Sequence, residues 1–265
     1  METSQFAHKN TGSRTALVGG GAGGIGSAIA AALLARGLHV VLAGRTKSTL
    51  VESAAALGGP VDHVVCDLAD QGAAAAAVAE VHGRYGALDV LVANAGGPAP
   101  GRVLEIPGEQ WHRDLDLLVL GPLALMRAAL PVMAGRGFGR VVVLGSTAVR
   151  QPQPQLAAST VLRSAMTSAV KLAAREYADR GVTVNTVAVG ATLTARRLEI
   201  VRSRALAAGV DLETALARDI ADIPAGRAAA PGEIAAAVAF LASPEAGYVN
   251  GTVLTVDGGR TEYPV

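Results

Sequence analysis

Short apolar runs rich in Val and Leu recur at Thr15–Gly20, His39–Ala43, Val61–Cys66, Leu88–Ala93, Arg140–Leu144, Thr183–Val187 and Thr252–Val256. Each is short and rich in Val and Leu, as suits a strand covered on both faces. Most alternate with Ala-rich stretches long enough for helices, Ala73 to Val81 among them, where Glu80 and His82 break the run. A strand–helix–strand series with right-handed crossovers places helices on both faces of one parallel sheet. The expected fold is therefore α/β, a Rossmann-type doubly wound parallel sheet of about seven strands. Ligands of such a sheet bind at its carboxyl edge.

The pattern predicts a loose polar arm over 1–14, followed by a single domain over 15–265. No linker or repeat divides it. The longest interruption lies between Gly190 and Pro231, where helical patterns near 195–208 and 211–221 suggest a substrate lid over about 191–226. No stretch reads as a signal peptide or a membrane span.

Composition sharpens this picture in three places. Aromatic residues are only 3% against 51% hydrophobic, so the core must be built from Ala, Val and Leu. The formal charge of +1 gives no field that would favour nucleic acid or a membrane, which leaves small molecules as the expected ligands. One cysteine, Cys66, excludes an intrachain disulfide, no Cys/His spacing suggests a metal site, and a cytoplasmic location is expected.

The segment from Leu17 to Gly26 (LVGGGAGGIG) follows the first strand and opens a helix near Ile25. Gly20, Gly24 and Gly26 fit a phosphate-binding turn, in which the chain bends tightly and a pyrophosphate approaches N–H groups at a helix N-terminus. The second strand ends in Ala43, Gly44 and Arg45, with no acid for a ribose. A guanidinium there can take a 2′-phosphate through paired hydrogen bonds, so NADP(H) is favoured over NAD(H); a solvated arginine is the simpler alternative. Asp67 with Leu68 after the third strand, and Asn94, Ala95 and Gly96 after the fourth, are placed to hold adenine and ribose, although ordinary turn chemistry accounts for the same residues.

With Asn185 to Val187, Gly190 and Val256 to Gly259 added, the chain resembles the short-chain dehydrogenase/reductase family from about residue 13 to 260. The resemblance implies nucleotide-dependent oxidoreduction, with Thr194 matching a cofactor-contacting threonine. Ser146 stands where the family keeps a carbonyl-binding serine. Ser159 and Arg163 stand where it keeps its catalytic tyrosine and lysine, and Leu118 where it keeps an asparagine. An alternative register, with Leu156 and Thr160 at the tyrosine and lysine positions, supplies no phenol or ammonium either. Gly19 and Val189 replace a threonine and a proline. A subgroup resembling ketoacyl-carrier-protein reductases shares the Ser and Arg replacements and the run from Asn94 to Pro98.

Arginine does not readily shuttle protons, so the expected chemistry is electrostatic. Ser146 and Ser159 would hydrogen-bond the substrate oxygen, while Arg163 holds the nicotinamide ribose, a substrate carboxylate or an enolate. A conjugated carbonyl suits this set, because its enolate can collect a proton from water. Local capping by Ser146, and helix-face positions for Ser159 and Arg163, are the plainer alternatives. His112 and Asp116 fit a solvated helix face, and the four tyrosines fall outside the expected pocket. Two further readings stay open: a silent nucleotide-binding scaffold, and a lyase or isomerase that stabilises an enolate. The helix from Ala157 to Ala178 and the C-terminal stretch resemble the family's assembly surfaces, implying a homotetramer or homodimer.

Overall fold

The computed structural model describes residues 13–263, so the expected polar arm lies almost wholly outside the described residues. Seven strands form one sheet in the order β3-β2-β1-β4-β5-β6-β7. They are β1 (Thr15–Gly19), β2 (His39–Gly44), β3 (Val61–Val65), β4 (Val90–Ala93), β5 (Gly139–Ser146), β6 (Val182–Val189) and β7 (Val253–Val256). Every pairing is parallel. The doubly wound sheet expected from the apolar runs is the one observed.

Alternation along the strands divides the core between the two faces. Leu17, Val41, Leu91 and Val141 face α3 (Gln71–Tyr85), α5 (Gly121–Gly135) and α6 (Ala157–Tyr177). Ala16, Val18, Val40, Val90 and Val142 face α1 (Gly24–Leu34) and α9 (Pro231–Leu241). With few aromatic rings, close packing is achieved by Ala on the helices against Val and Leu on the strands.

Between Gly108 and Gly135 the chain is helical throughout. α4 (Gly108–Leu115) runs into a π-helical turn (Asp116–Leu120), and α5 continues from Gly121. By length and hydropathy this continuous helix could cross a membrane, which the sequence reading overlooked. Its apolar residues are used otherwise: Leu125, Met126, Ala129 and Met133 are buried in the core beside α3 and the sheet. The π turn falls where α5 meets the sheet edge. A Cβ on Gly121 would lie 1.6 Å from the Leu68 carbonyl oxygen, so only glycine lets the helix backbone pass there.

After β6, α7 (Ala195–Ala208) and α8 (Leu212–Ile220) form the two helices expected from the sequence pattern. They carry a small core of their own, Val201 and Ala205 against Ala215. α2 (Lys47–Leu57) completes the set between β2 and β3.

Candidate active site

Strand order reverses between β1 and β4, so the crossovers on either side leave in opposite directions and open a crevice at these carboxyl ends. Asn94, immediately after β4, closes the base of that crevice: its side-chain amide donates to the Gly19 carbonyl at 3.0 Å. The chain turns at Gly20, whose φ of +57° suits glycine, and Gly23 N–H donates back to Gly20 O at 3.0 Å. A Cβ on Gly26 would come within 2.0 Å of that same carbonyl, and one on Gly19 within 3.0 Å of Asn94 O. A side chain at position 19 would therefore require the Asn94 backbone to give by a few tenths of an ångström.

The N-terminus of α1 has no side-chain cap and no acid in its first turn. Its exposed N–H groups and its dipole therefore present positive potential to the crevice. Thr194, the N-cap of α7, places its methyl group 3.3 Å from where a Gly24 Cβ would stand. Gly24, Ile25 and Gly26 are thus faced by Thr194 across a narrow gap. Gly190 is equally constrained, since a Cβ there would meet Asp257 at 2.6 Å.

Arg45 is exposed just beyond β2, and Asp67 is exposed beyond β3, its carboxylate accepting from Ala69 N–H at 3.0 Å. Leu68 is buried, and Ala95 and Gly96 follow Asn94 at the edge. Arg45, Asp67 with Leu68, and Asn94 to Gly96 thus follow the carboxyl ends of β2, β3 and β4.

Beyond them lies an open cleft of about 280 Å³ lined by Ile25, Ser146, Leu156, Val189, Gly190 and Thr194, among others. Ser146 ends β5, and its hydroxyl accepts from Ala148 N–H at 3.2 Å while keeping a proton to donate. The local capping weighed for this serine is thus present. It does not consume the donor.

Ser159 and Arg163 share one face of α6, a turn apart, but the structure treats them differently. Ser159 is 7% exposed, on the buried face of α6 with Ala158 and Leu162, and it does not line the cleft. Its hydroxyl makes no hydrogen bond to any described residue and is not one of the fully enclosed polar atoms. Arg163 reaches the end of β5, where its Nη1 donates to the Leu144 carbonyl. It borders a small, largely apolar void of about 10 Å³ with Ala95, Leu118, Pro122 and Gly145. Burial, with the charge of Arg196 added, lowers its pKa to about 10, so the guanidinium remains charged at neutral pH.

Arg196 escaped the sequence reading. From the first turn of α7 its guanidinium donates to the carbonyl of Gly97, with Pro98 O at 3.4 Å, spanning the crevice. One signal could have found it: Arg196 and Arg197 both occupy the first turn of a helix, where the dipole disfavours cations and calls for partners from outside the helix. Arg197 takes Asp219. The π turn bearing Leu118 was likewise not legible, since nothing in its apolar run distinguishes it from α-helix.

A family profile described as enoyl-(acyl carrier protein) reductase matches residues 20–261. The chain belongs to the short-chain dehydrogenase/reductase family. Within that family it is 34% identical to the short-chain reductase protein NovJ of Streptomyces niveus, over 92% of this chain and 93% of that one. An actinorhodin polyketide ketoreductase solved with NADPH aligns with a TM-score of 0.90 at 33% identity, covering 95% and 98% of the two chains. A short-chain oxidoreductase of Pseudomonas aeruginosa, NADPH-bound and described as containing an atypical catalytic centre, aligns with a TM-score of 0.85 at 30% identity, covering 94% and 97%. The short-chain dehydrogenase/reductase frame thus spans nearly all of the described chain, the α7–α8 segment included.

Proposed function

We propose that this chain is an NADPH-dependent reductase of a small carbonyl or conjugated-carbonyl substrate, working without the tyrosine–lysine relay of its family. The glycine cradle fits a dinucleotide: a Cβ would clash at Gly20 and Gly26 and crowd Thr194 at Gly24, and the α1 N-terminus has neither a side-chain cap nor an acid in its first turn. The backbone from Gly24 through Ile25 to Gly26 would hold the pyrophosphate, Arg45 the 2′-phosphate, Asp67 and Leu68 the adenine. Asn94, Ala95 and Gly96 would hold ribose, with Gly190 and Thr194 beside the nicotinamide. When bound, the reduced dinucleotide supplies the hydride.

The chain's own residues then stabilise the oxygen that gains negative charge. Ser146 donates its hydroxyl proton, and Arg163, one residue pair away at Leu144, supplies fixed positive charge. Ser159 packs the helix against the sheet. Leu118 is 3% exposed and turns an apolar wall toward the cavity beneath Arg163, so protons reach the substrate oxygen or carbon from water in the open cleft. This favours conjugated carbonyls, whose enolates survive until water protonates them. α7 and α8, within 191–226, act as the lid, and the chain works as a homodimer or homotetramer.

The observation that carries this reading is Arg163 anchored to Leu144 O, two residues before Ser146 on β5. Calorimetric titration with NADPH, NADP, NADH and NAD, followed by a screen of enones and ketones, tests it. Phosphate-selective binding and enone reduction are expected; failure of all four nucleotides to bind would overturn it.

A further inference from the structure

The cleft beside Ser146 continues into a second cavity of about 330 Å³. Thr147, Gln153, Arg204 and Arg260 line both, so the two form one groove. The loop between β5 and α6 supplies much of the wall of the second compartment, and its sequence alternates glutamine and proline from Gln151 to Gln155. Thr261 and the ion pair of Arg260 with Asp222 complete the lining.

The backbone of this loop is held in place. Pro152 and Pro154 lock φ and carry no N–H. Gln151 N–H donates to Thr147 O at 3.0 Å, Leu156 N–H to Gln153 O at 2.9 Å and Gly101 N–H to Gln155 O at 2.9 Å. The side-chain oxygen of Gln151 accepts from Glu262 N–H at 3.1 Å. The carboxamides of Gln153 and Gln155 have no hydrogen-bond partner among the described residues, although both residues line the cavity. Each arginine of the lining, in contrast, has a carboxylate beside it. Arg260 donates to Asp222 at 2.6 and 2.8 Å, and Arg204 stands 3.5 Å from Asp219, which it shares with Arg197. What the compartment offers without a partner is therefore neutral amide.

A carboxamide donates and accepts at once, so it pairs best with groups that do the same, hydroxyls and amides. Held on a fixed backbone, it binds them at reduced entropic cost. In the reductase reading the nicotinamide stands beside Gly190 and Thr194, which leaves the glutamine compartment for whatever the substrate carries beyond its carbonyl. We propose that Gln153 and Gln155 are specificity-determining residues, and that the substrate bears a neutral arm of hydroxyl or amide groups that runs from Ser146 past Thr147 into this compartment. This inference rests on the reductase reading above and assigns its substrate class.

The test is calorimetric and needs no turnover. Protein saturated with NADP is titrated with methyl ketones that share one head and differ only in an arm of equal length, ending in an N-methylamide, a vicinal diol, an alkyl group or a carboxylate. NADPH affinity is measured separately. The amide or the diol arm is expected to bind roughly tenfold more tightly than the alkyl arm, the gain of one to two hydrogen bonds, and whichever binds better tells an amide-bearing chain from a polyol. Gln153→Leu, close in size but without the amide, should bring the preferred arm down to the level of the alkyl arm and leave NADPH affinity within about twofold. Gln153→Asn should fall between, and Gln155→Leu, at an exposed position where folding is not at stake, should lower the same preference. Equal binding of all four arms, tightest binding of the carboxylate, or no binding of any ketone would overturn the proposal. So would a preference for amide or diol that survives both leucine variants. Failure of NADPH itself to bind the parent protein sinks the reductase reading, and is seen in its own titration.

Discussion

The side-chain amide of Asn94 donates to the carbonyl of Gly19, joining the ends of β4 and β1 at the point where strand order reverses. Few single bonds have so much geometry depending on them. The amide fills the space beside Gly20, and the turn at Gly20 sets where the α1 N-terminus points. Asn94→Ala should destabilise the protein by about 1–2 kcal/mol, because a half-buried carbonyl loses its partner. It should also weaken NADPH binding. Thermal melts and calorimetry check both, and an unchanged nucleotide affinity would separate Asn94 from the cradle.

Two glycines with opposite surroundings predict opposite outcomes. Gly26→Ala forces a Cβ to within 2.0 Å of Gly20 O, which is backbone and cannot swing away. Nucleotide binding should be lost by far more than stability, since the loop must open. Gly83→Ala lies on the exposed face of α3 with nothing within 4 Å, and should stabilise by roughly 0.5–1 kcal/mol through helix propensity. Paired melts would show the contrast.

Arg45 is exposed beyond β2, where it can reach a 2′-phosphate. Arg45→Ala should cut NADPH affinity roughly tenfold or more, the cost of a charge-assisted pair, and leave NADH affinity nearly unchanged. Equal losses for both nucleotides would place the arginine elsewhere in the site.

Glu233 supplies a pH-dependent element remote from the crevice. Its carboxylate caps α9 by accepting from Ala230 N–H at 2.8 Å and pairs with Arg227. These partners lower its pKa from the ordinary 4.5 to about 2. A depressed carboxyl stabilises the fold above its unfolded value, and the contribution fades as pH falls from about 4.5 toward 2. Melting temperatures of Glu233→Gln and the parent should therefore differ at pH 7 and converge near pH 2. Solvent exposure and salt keep the difference small.

The fold and the cradle were legible for one reason: their signals are local. A continuous apolar run of five residues is enough to predict a covered strand, and Gly20, Gly24 and Gly26 report a backbone constraint confined to one turn. The expected helices near 195–208 and 211–221 appear as α7 and α8 because caps at Thr194 and Asp211 precede them. Positions 159 and 163 could be read as Ser and Arg on one helix face, but their unequal fates could not. The long arginine crosses to the Leu144 carbonyl on β5, while the serine hydroxyl has no partner among the described residues.

What the chain determined by itself was the sheet, the glycine turn, and the residue types offered at each strand end. Only tertiary structure decided which of them meet. Arg196 finds the Gly97 carbonyl 99 positions away, and the Gly121 backbone presses on Leu68. Asn94 spends its amide on the Gly19 carbonyl. Periodicity and turn chemistry act over a few residues, so they show in the sequence. Contacts between strand ends depend on how crossovers stack elements distant in sequence.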